Sequence, residues 1–205
     1  MGTEDINDLS YEESIQRHRE NRREKLLRAT AAVFARTGIA QVSMDKVAKE
    51  VGVTKVVLYR YFKSKDELVD TILGEFVDRL LAADSLDVGW GRKRVTDNLI
   101  LIRENQDAFM LLVRHANHDP KFGRHYLRLF DELVDHTLKR LTRELSGRKN
   151  EAIKLKFVAE RISSLLLESV IGWIESGDPK KDTSFVSWLV RSSSALAQSW
   201  VDPPS

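Results

Sequence analysis

His115, His118, Asp119 and His125 are the side chains whose types and spacing come nearest to holding a divalent ion. Pro120 falls among them and breaks the helical register that would make them converge. Solvated or hydrogen-bonded histidines are therefore expected, and no metal. Nucleophilic chemistry has less to build on. The 205 residues include no cysteine, which removes disulfides, zinc-thiolate sites and a thiol nucleophile together. No serine has the context of an activated nucleophile, and no glycine-rich loop is present to cradle a phosphate. An enzyme is not expected, nor a cofactor.

Polyanion binding is the chemistry the spacing favours. Residues 15–65 carry 13 Lys and Arg against four acids, net +9, whereas residues 1–14 are net −5 and residues 66–205 net −2. The whole-chain charge of +2 hides this segregation. Within the basic stretch, two short runs flank Gly52-Val53. Ser43 is placed to cap the first, which buries Val47, Ala48 and Val51. Gly52 allows the positive φ of a tight turn, and Thr54 is placed to cap the second run, through Phe62. In that second run Leu58 and Phe62 share a face with Val53 beneath them. Val56 and Arg60 point roughly opposite, flanked by Lys55 and Val57. Apolar residues on an exposed first turn suit thymine methyl groups in a major groove.

The elements that must position these residues read as all-α. Only four prolines occur, and the stretches between them keep three- and four-residue spacing. Residues 1–14 are expected to be loose. Helices are expected over about 21–36, 43–51, 54–62, 65–81, 93–104, 107–116, 120–145, 151–175 and 183–200. Ser64 to Glu67 forms a capping box, and Asp119-Pro120 a cap with proline in the first turn. This divides the chain into a flexible arm (1–20), a helix-turn-helix domain (21–65) and a larger six-helix domain (66–205). No apolar run approaches the roughly 18 residues of a membrane span. The acidic start does not read as a signal peptide, so a cytoplasmic protein without membrane contact is expected.

The segment from Val47 to Leu68, VAKEVGVTKVVLYRYFKSKDEL, resembles the signature of the TetR family of bacterial transcriptional regulators. Ala48, Gly52, Val53, Thr54, Leu58, Tyr59, Phe62, Ser64, Lys65 and Leu68 carry the match. Ala32 and Phe34 before Thr37-Gly38 resemble the family's first helix. Two positions depart from the pattern: Val56 stands where glycine or proline is common, and Tyr61 where histidine is frequent. The resemblance implies a dimer on double-stranded DNA at a palindromic operator. Ser43 and Thr54 would hydrogen-bond phosphates as well as cap. Lys55, Val56, Val57 and Arg60 would meet base edges, Tyr59 and Tyr61 would offer hydroxyls to phosphates, and Lys65 would pair with a phosphate at a helix N-terminus. Arg17, Arg19, Arg22 and Arg23 could enter the adjacent minor groove. The competing reading, an all-helical enzyme or metal-binding bundle with an incidental basic N-terminus, has no use for this signature together with the +9 segment.

The larger domain holds Phe76, Trp90, Phe109, Phe122, Tyr126, Phe130 and Trp173, with Asn98, Arg103, Arg114, His115 and His136 interspersed. With the resemblance, this density implies a pocket for a mainly hydrophobic, elongated effector whose polar end lies near Arg114 or His136. Ligand and DNA would each favour one spacing of the two recognition helices, roughly 34–36 Å when bound to DNA. Apolar residues cover more than one face of the last two helices, with small residues such as Ser163, Ser164 and Ser193 between them. A homodimer through those two helices is expected.

Overall fold

The computed structural model describes residues 4–84, 92–147 and 153–200. They form nine α-helices and no strand among the described residues: α1 (Glu4–Thr37), α2 (Met44–Glu50), α3 (Lys55–Tyr61), α4 (Lys65–Asp84), α5 (Arg92–Glu104), α6 (Gln106–Met110), α7 (Gly123–Glu144), α8 (Leu155–Ser176) and α9 (Asp182–Gln198). The chain forms two compact units, Met1–Ile72 and Leu73–Ser205, so the division falls inside α4. The sequence division at 65/66 had placed it at the start of that helix.

The first unit is built on α1. Its second half buries Leu26, Leu27, Ala31, Val33 and Phe34, and the Thr30 hydroxyl donates to the Leu27 carbonyl at 2.9 Å. Gly38, at φ 87°, ends the helix, its N–H returning to the Phe34 carbonyl at 2.7 Å. Phe34, Val42, Val47, Leu58, Phe62 and Leu68 close the core. In contrast to the expected loose arm, α1 continues back to Glu4. No glycine or proline interrupts residues 4–37. Pairs such as Gln16–Glu20 (3.1 Å) and Glu24–Arg28 (2.8 Å) support the exposed stretch at i,i+4.

In the second unit α7 packs along α8, and α9 lies against both α5 and α8. A buried Ser163 hydroxyl donates to Thr137 Oγ1 at 3.2 Å across the α7–α8 contact. Asp182, at the start of α9, accepts from Arg103 of α5 at 3.0 and 3.2 Å and from the Trp173 indole of α8 at 2.6 Å. One carboxylate thus ties three helices. Burial pushes its pKa up, but these hydrogen bonds and the Arg103 charge outweigh that and hold it below the usual value.

Three boundaries differ from the sequence reading. After α6 the backbone continues as a π-helical stretch, Leu111–Ala116, where the Asn117 N–H reaches the Leu112 carbonyl at 3.0 Å. The long helix begins at Gly123 rather than Pro120, because Asp119 Oδ1 accepts from the N–H groups of Lys121 (2.8 Å) and Phe122 (3.2 Å), closing a turn ahead of it. The next begins at Leu155 rather than Glu151. The expected loop at 83–91 and the turn at 146–150 lie largely outside the described residues.

Candidate nucleic-acid interface and effector cavity

Side-chain caps set the two helices of the first unit against each other. Ser43 Oγ accepts from the Lys46 N–H at 3.2 Å and Thr54 Oγ1 from the Val57 N–H at 3.3 Å. Gly52 turns the chain at φ 71°, and the Val53 N–H bonds back to the Ala48 carbonyl at 3.0 Å. With Leu58 and Phe62 buried beneath, α3 presents Lys55, Val56, Tyr59 and Arg60 outward. Val56 is 70% exposed, the most exposed large apolar side chain among the described residues. Val57 and Tyr61 are half-buried, and the Tyr61 ring leans on Phe62 with centroids 6.3 Å apart.

Ser43, Lys55, Tyr59 and Lys65 line one open concavity of about 440 Å³. Lys55 Nζ is 2.7 Å from Asp45 and 5.7 Å from the Tyr59 ring centroid; the hydrogen bond to Asp45 and its charge raise the ammonium pKa. Lys65 Nζ donates to the Ile39 carbonyl at 3.1 Å, which anchors one of its three N–H groups at the rim. Ser64 Oγ accepts from the Glu67 N–H at 3.1 Å, while Glu67 reaches back to the Lys63 N–H at 2.7 Å, one residue before the cap. Thr54 and Arg60 are exposed but line no part of this concavity. Arg17, Arg19 and Arg22 lie on an exposed stretch of α1.

The second unit contains a cavity of about 100 Å³ among α4, α5, α6, α7, α8 and α9. Among the described residues its walls are aliphatic, with Phe109 the single aromatic and Arg94 and Asn98 the two polar side chains. Arg94 Nη2 lies 2.8 Å from His136 Nδ1. Burial lowers the guanidinium pKa to about 10, so it stays charged at neutral pH. Burial, and then the Arg94 charge, lowers that of His136. Asn98 Oδ1 is buried without a hydrogen-bond partner.

Of the nine aromatic and polar positions expected at an effector pocket, Phe109 lines this cavity and His136 meets it through Arg94. The other described positions do not line it. Phe76 packs edge-on against Phe109 in the core, centroids 6.3 Å apart, and Phe122 is buried at the turn before α7. Tyr126 and Phe130 stack with each other at 6.4 Å, and burial together with Glu168 raises the tyrosine pKa. Trp173 lies flat on Phe185 at 4.6 Å. Arg114 forms a surface pair with Glu175 through two 2.7 Å hydrogen bonds. Trp90 lies outside the described residues. Sequence reading passed over Arg94. Its signal was there: Arg94 and Asn98 stand at i,i+4 on the same helical stretch as Val95, Leu99 and Ile102.

Among the described residues, metal-ligand spacing occurs at Glu132, Asp135 and His136, not at the earlier histidines. Asp135 is paired with Lys139 at 2.5 Å, and His136 Nδ1 faces the Arg94 guanidinium.

Residues 26–72, which hold the capped helix pair and the start of α4, match the family described as bacterial regulatory proteins, tetR family. Over those residues the chain carries the module of the TetR family of bacterial transcriptional regulators. It is 26% identical over 185 residues to the HTH-type transcriptional activator FasR of Mycolicibacterium smegmatis, covering 84% of this chain and 81% of that protein. It is 39% identical over 62 residues to the HTH-type transcriptional repressor KstR2 of Mycobacterium tuberculosis, which spans 30% of this chain and 31% of that one. The crystal structure of a TetR-like transcriptional regulator from Rhodococcus sp. RHA1 superposes with a TM-score of 0.69 at 20% identity, over 86% of this chain and 93% of the other. That likeness shows the shared fold. No helix of the described residues is long and apolar enough to cross a membrane.

Proposed function

We propose that this regulator is a ligand-responsive repressor and not an enzyme. It binds a two-fold symmetric operator as a homodimer through α8 and α9 and releases it when a small, mainly hydrophobic molecule occupies the second unit. The observation that carries the DNA half is the exposed Lys55, Val56, Tyr59 and Arg60 face of a doubly capped α3 beside Lys65. Lysines and hydroxyls fix register on phosphates, and Val56 reads a base edge. The cavity beside Arg94 and Asn98 supports the effector half. Linkage requires that a ligand preferring the weakly DNA-binding form lower DNA affinity.

Binding to the DNA upstream of the chain's own gene, titrated at several salt concentrations, tests the interface. Lys65→Ala should weaken binding on every sequence and reduce the salt slope by about one per protomer. Val56→Ser should instead change the preference for thymine by about 1 kcal/mol, with the salt slope unchanged. Unchanged affinity and slope in Lys65→Ala would remove that residue from the interface.

A further inference from the structure

We infer that the exposed face of α7 docks antiparallel against the same face of a second copy and so joins one dimer of this protein to the next. This goes beyond the homodimer proposed above, which uses α8 and α9. Leu127, 58% exposed, is after Val56 the most exposed large apolar side chain among the described residues, and neither α3 nor the α8–α9 face accounts for it. It stands in the stripe Arg124, Leu127, Arg128, Asp131, Glu132 and Asp135, spaced at three and four residues, which lines one open concavity of about 530 Å³. The stripe is basic at its N-terminal end and acidic at its C-terminal end. A two-fold axis between residues 129 and 130 therefore sets Arg124 opposite Asp135, Arg128 opposite Asp131 and Leu127 opposite the methylenes of Glu132, each twice over. A parallel arrangement would set like charges together. Asp131 has no hydrogen bond or ion pair among the described residues, and the one ion pair of Glu132 among them is a 4.0 Å contact with His136. The basic end is held by surface contacts: Arg128 pairs with Asp78 at 2.6 Å, and Arg124 donates to the Lys121 carbonyl. Asp135 pairs with Lys139 at 2.5 Å. Exposed pairs of this kind exchange at little cost. Residues 124–135 span roughly 16 Å of helix, so the contact is smaller than a standard interface and forms only at high concentration.

Sedimentation of the full chain without DNA, at about 100 μM and low salt, tests this. The wild type should associate beyond the dimer, and about 0.5 M salt should return it to dimers. Arg128→Asp leaves an acid at both positions 128 and 131, and Asp131→Arg leaves a base at both. Each variant alone should weaken the step about tenfold. An equimolar mixture of the two should regain it, because acid then meets base across the contact. Mixing cannot restore a pair within one chain, so the mixture separates a contact between copies from damage to the fold. A wild type that stays dimeric under these conditions, or a mixture no larger than its components, overturns the inference and leaves the α8–α9 dimer untouched. Variants that are monomeric, with a mixture that is dimeric, keep the α7 contact and remove α8 and α9 as the dimer face.

Discussion

His136 shows how one residue's environment sets a measurable pH response. Burial and the Arg94 charge favour its neutral form, which accepts at Nδ1 from the guanidinium at 2.8 Å; Glu132 and Asp135 pull the other way, and Lys139 adds to the depression. The folded pKa lies below the ordinary 6.5. The unfolded chain therefore binds more protons between those two values, and stability falls as pH drops through that window. Denaturant midpoints between about pH 8 and pH 5 should decline less in His136→Asn, which keeps an acceptor but cannot titrate. Equal slopes in the two proteins would remove this role. At this scale the outward face of α3 was legible from sequence because a short helix's faces are read locally: Leu58 and Phe62 fix which face is buried, and Val56 then has to face out. The residues that line the cavity were not. An aromatic on a helix is equally suited to a cavity wall or a filled core, and Phe76 and Phe122 went to the core.

Single elements followed sequence wherever a cap or a glycine punctuates them. Ser43, Thr54, Ser64 and Gly52 all act as their types suggest. Gly52 sits at φ 71°, and a Cβ there would meet no heavy atom within 4 Å, so space is available but the backbone angle is not suited to an L residue. Gly52→Ala should cost about 1–2 kcal/mol in chemical denaturation and loosen the pairing of α2 with α3. A neutral result would mean that the turn relaxes without penalty. The elements that sequence misplaced share a cause. Asp119 next to Pro120 carries the local pattern of a helix start, yet its carboxylate closes a separate turn. Gly123 then sits where a Cβ would lie 3.2 Å from the Asn117 carbonyl, a close approach fixed by tertiary structure. The π-helical Leu111–Ala116 has no glycine or proline to mark it.

At the scale of the molecule, α8 and α9 leave Ile153, Phe157, Trp188 and Leu196 exposed on or beside them. Packing within one chain leaves these side chains exposed, and the proposed homodimer makes a second copy their occupant. Phe157→Glu and Trp188→Glu should each shift the sedimentation equilibrium toward monomer, with a parallel loss of operator affinity, while the fold of one chain survives. Dimers that persist in the double variant would locate the subunit contact elsewhere. Sequence anticipated this face from apolar residues in excess of one stripe. It anticipated a pocket in the larger domain but not its lining, because residues of six helices from distant parts of the chain line it.

The Trp173, Phe185 and Trp188 rings form a short column, with centroids 4.6 and 6.0 Å apart, that runs from a hydrogen-bonded indole to one 46% exposed. Trp200 is buried, its indole donating to the Ile153 carbonyl at 2.7 Å. Its optical consequence is an unlabelled reporter of assembly. Wetting an indole moves its emission to the red, and among Trp173, Trp188 and Trp200 it is Trp188 whose solvent contact a second copy would change most. Diluting the protein should therefore redden its fluorescence, and the difference spectrum against Trp188→Phe should trace subunit dissociation directly.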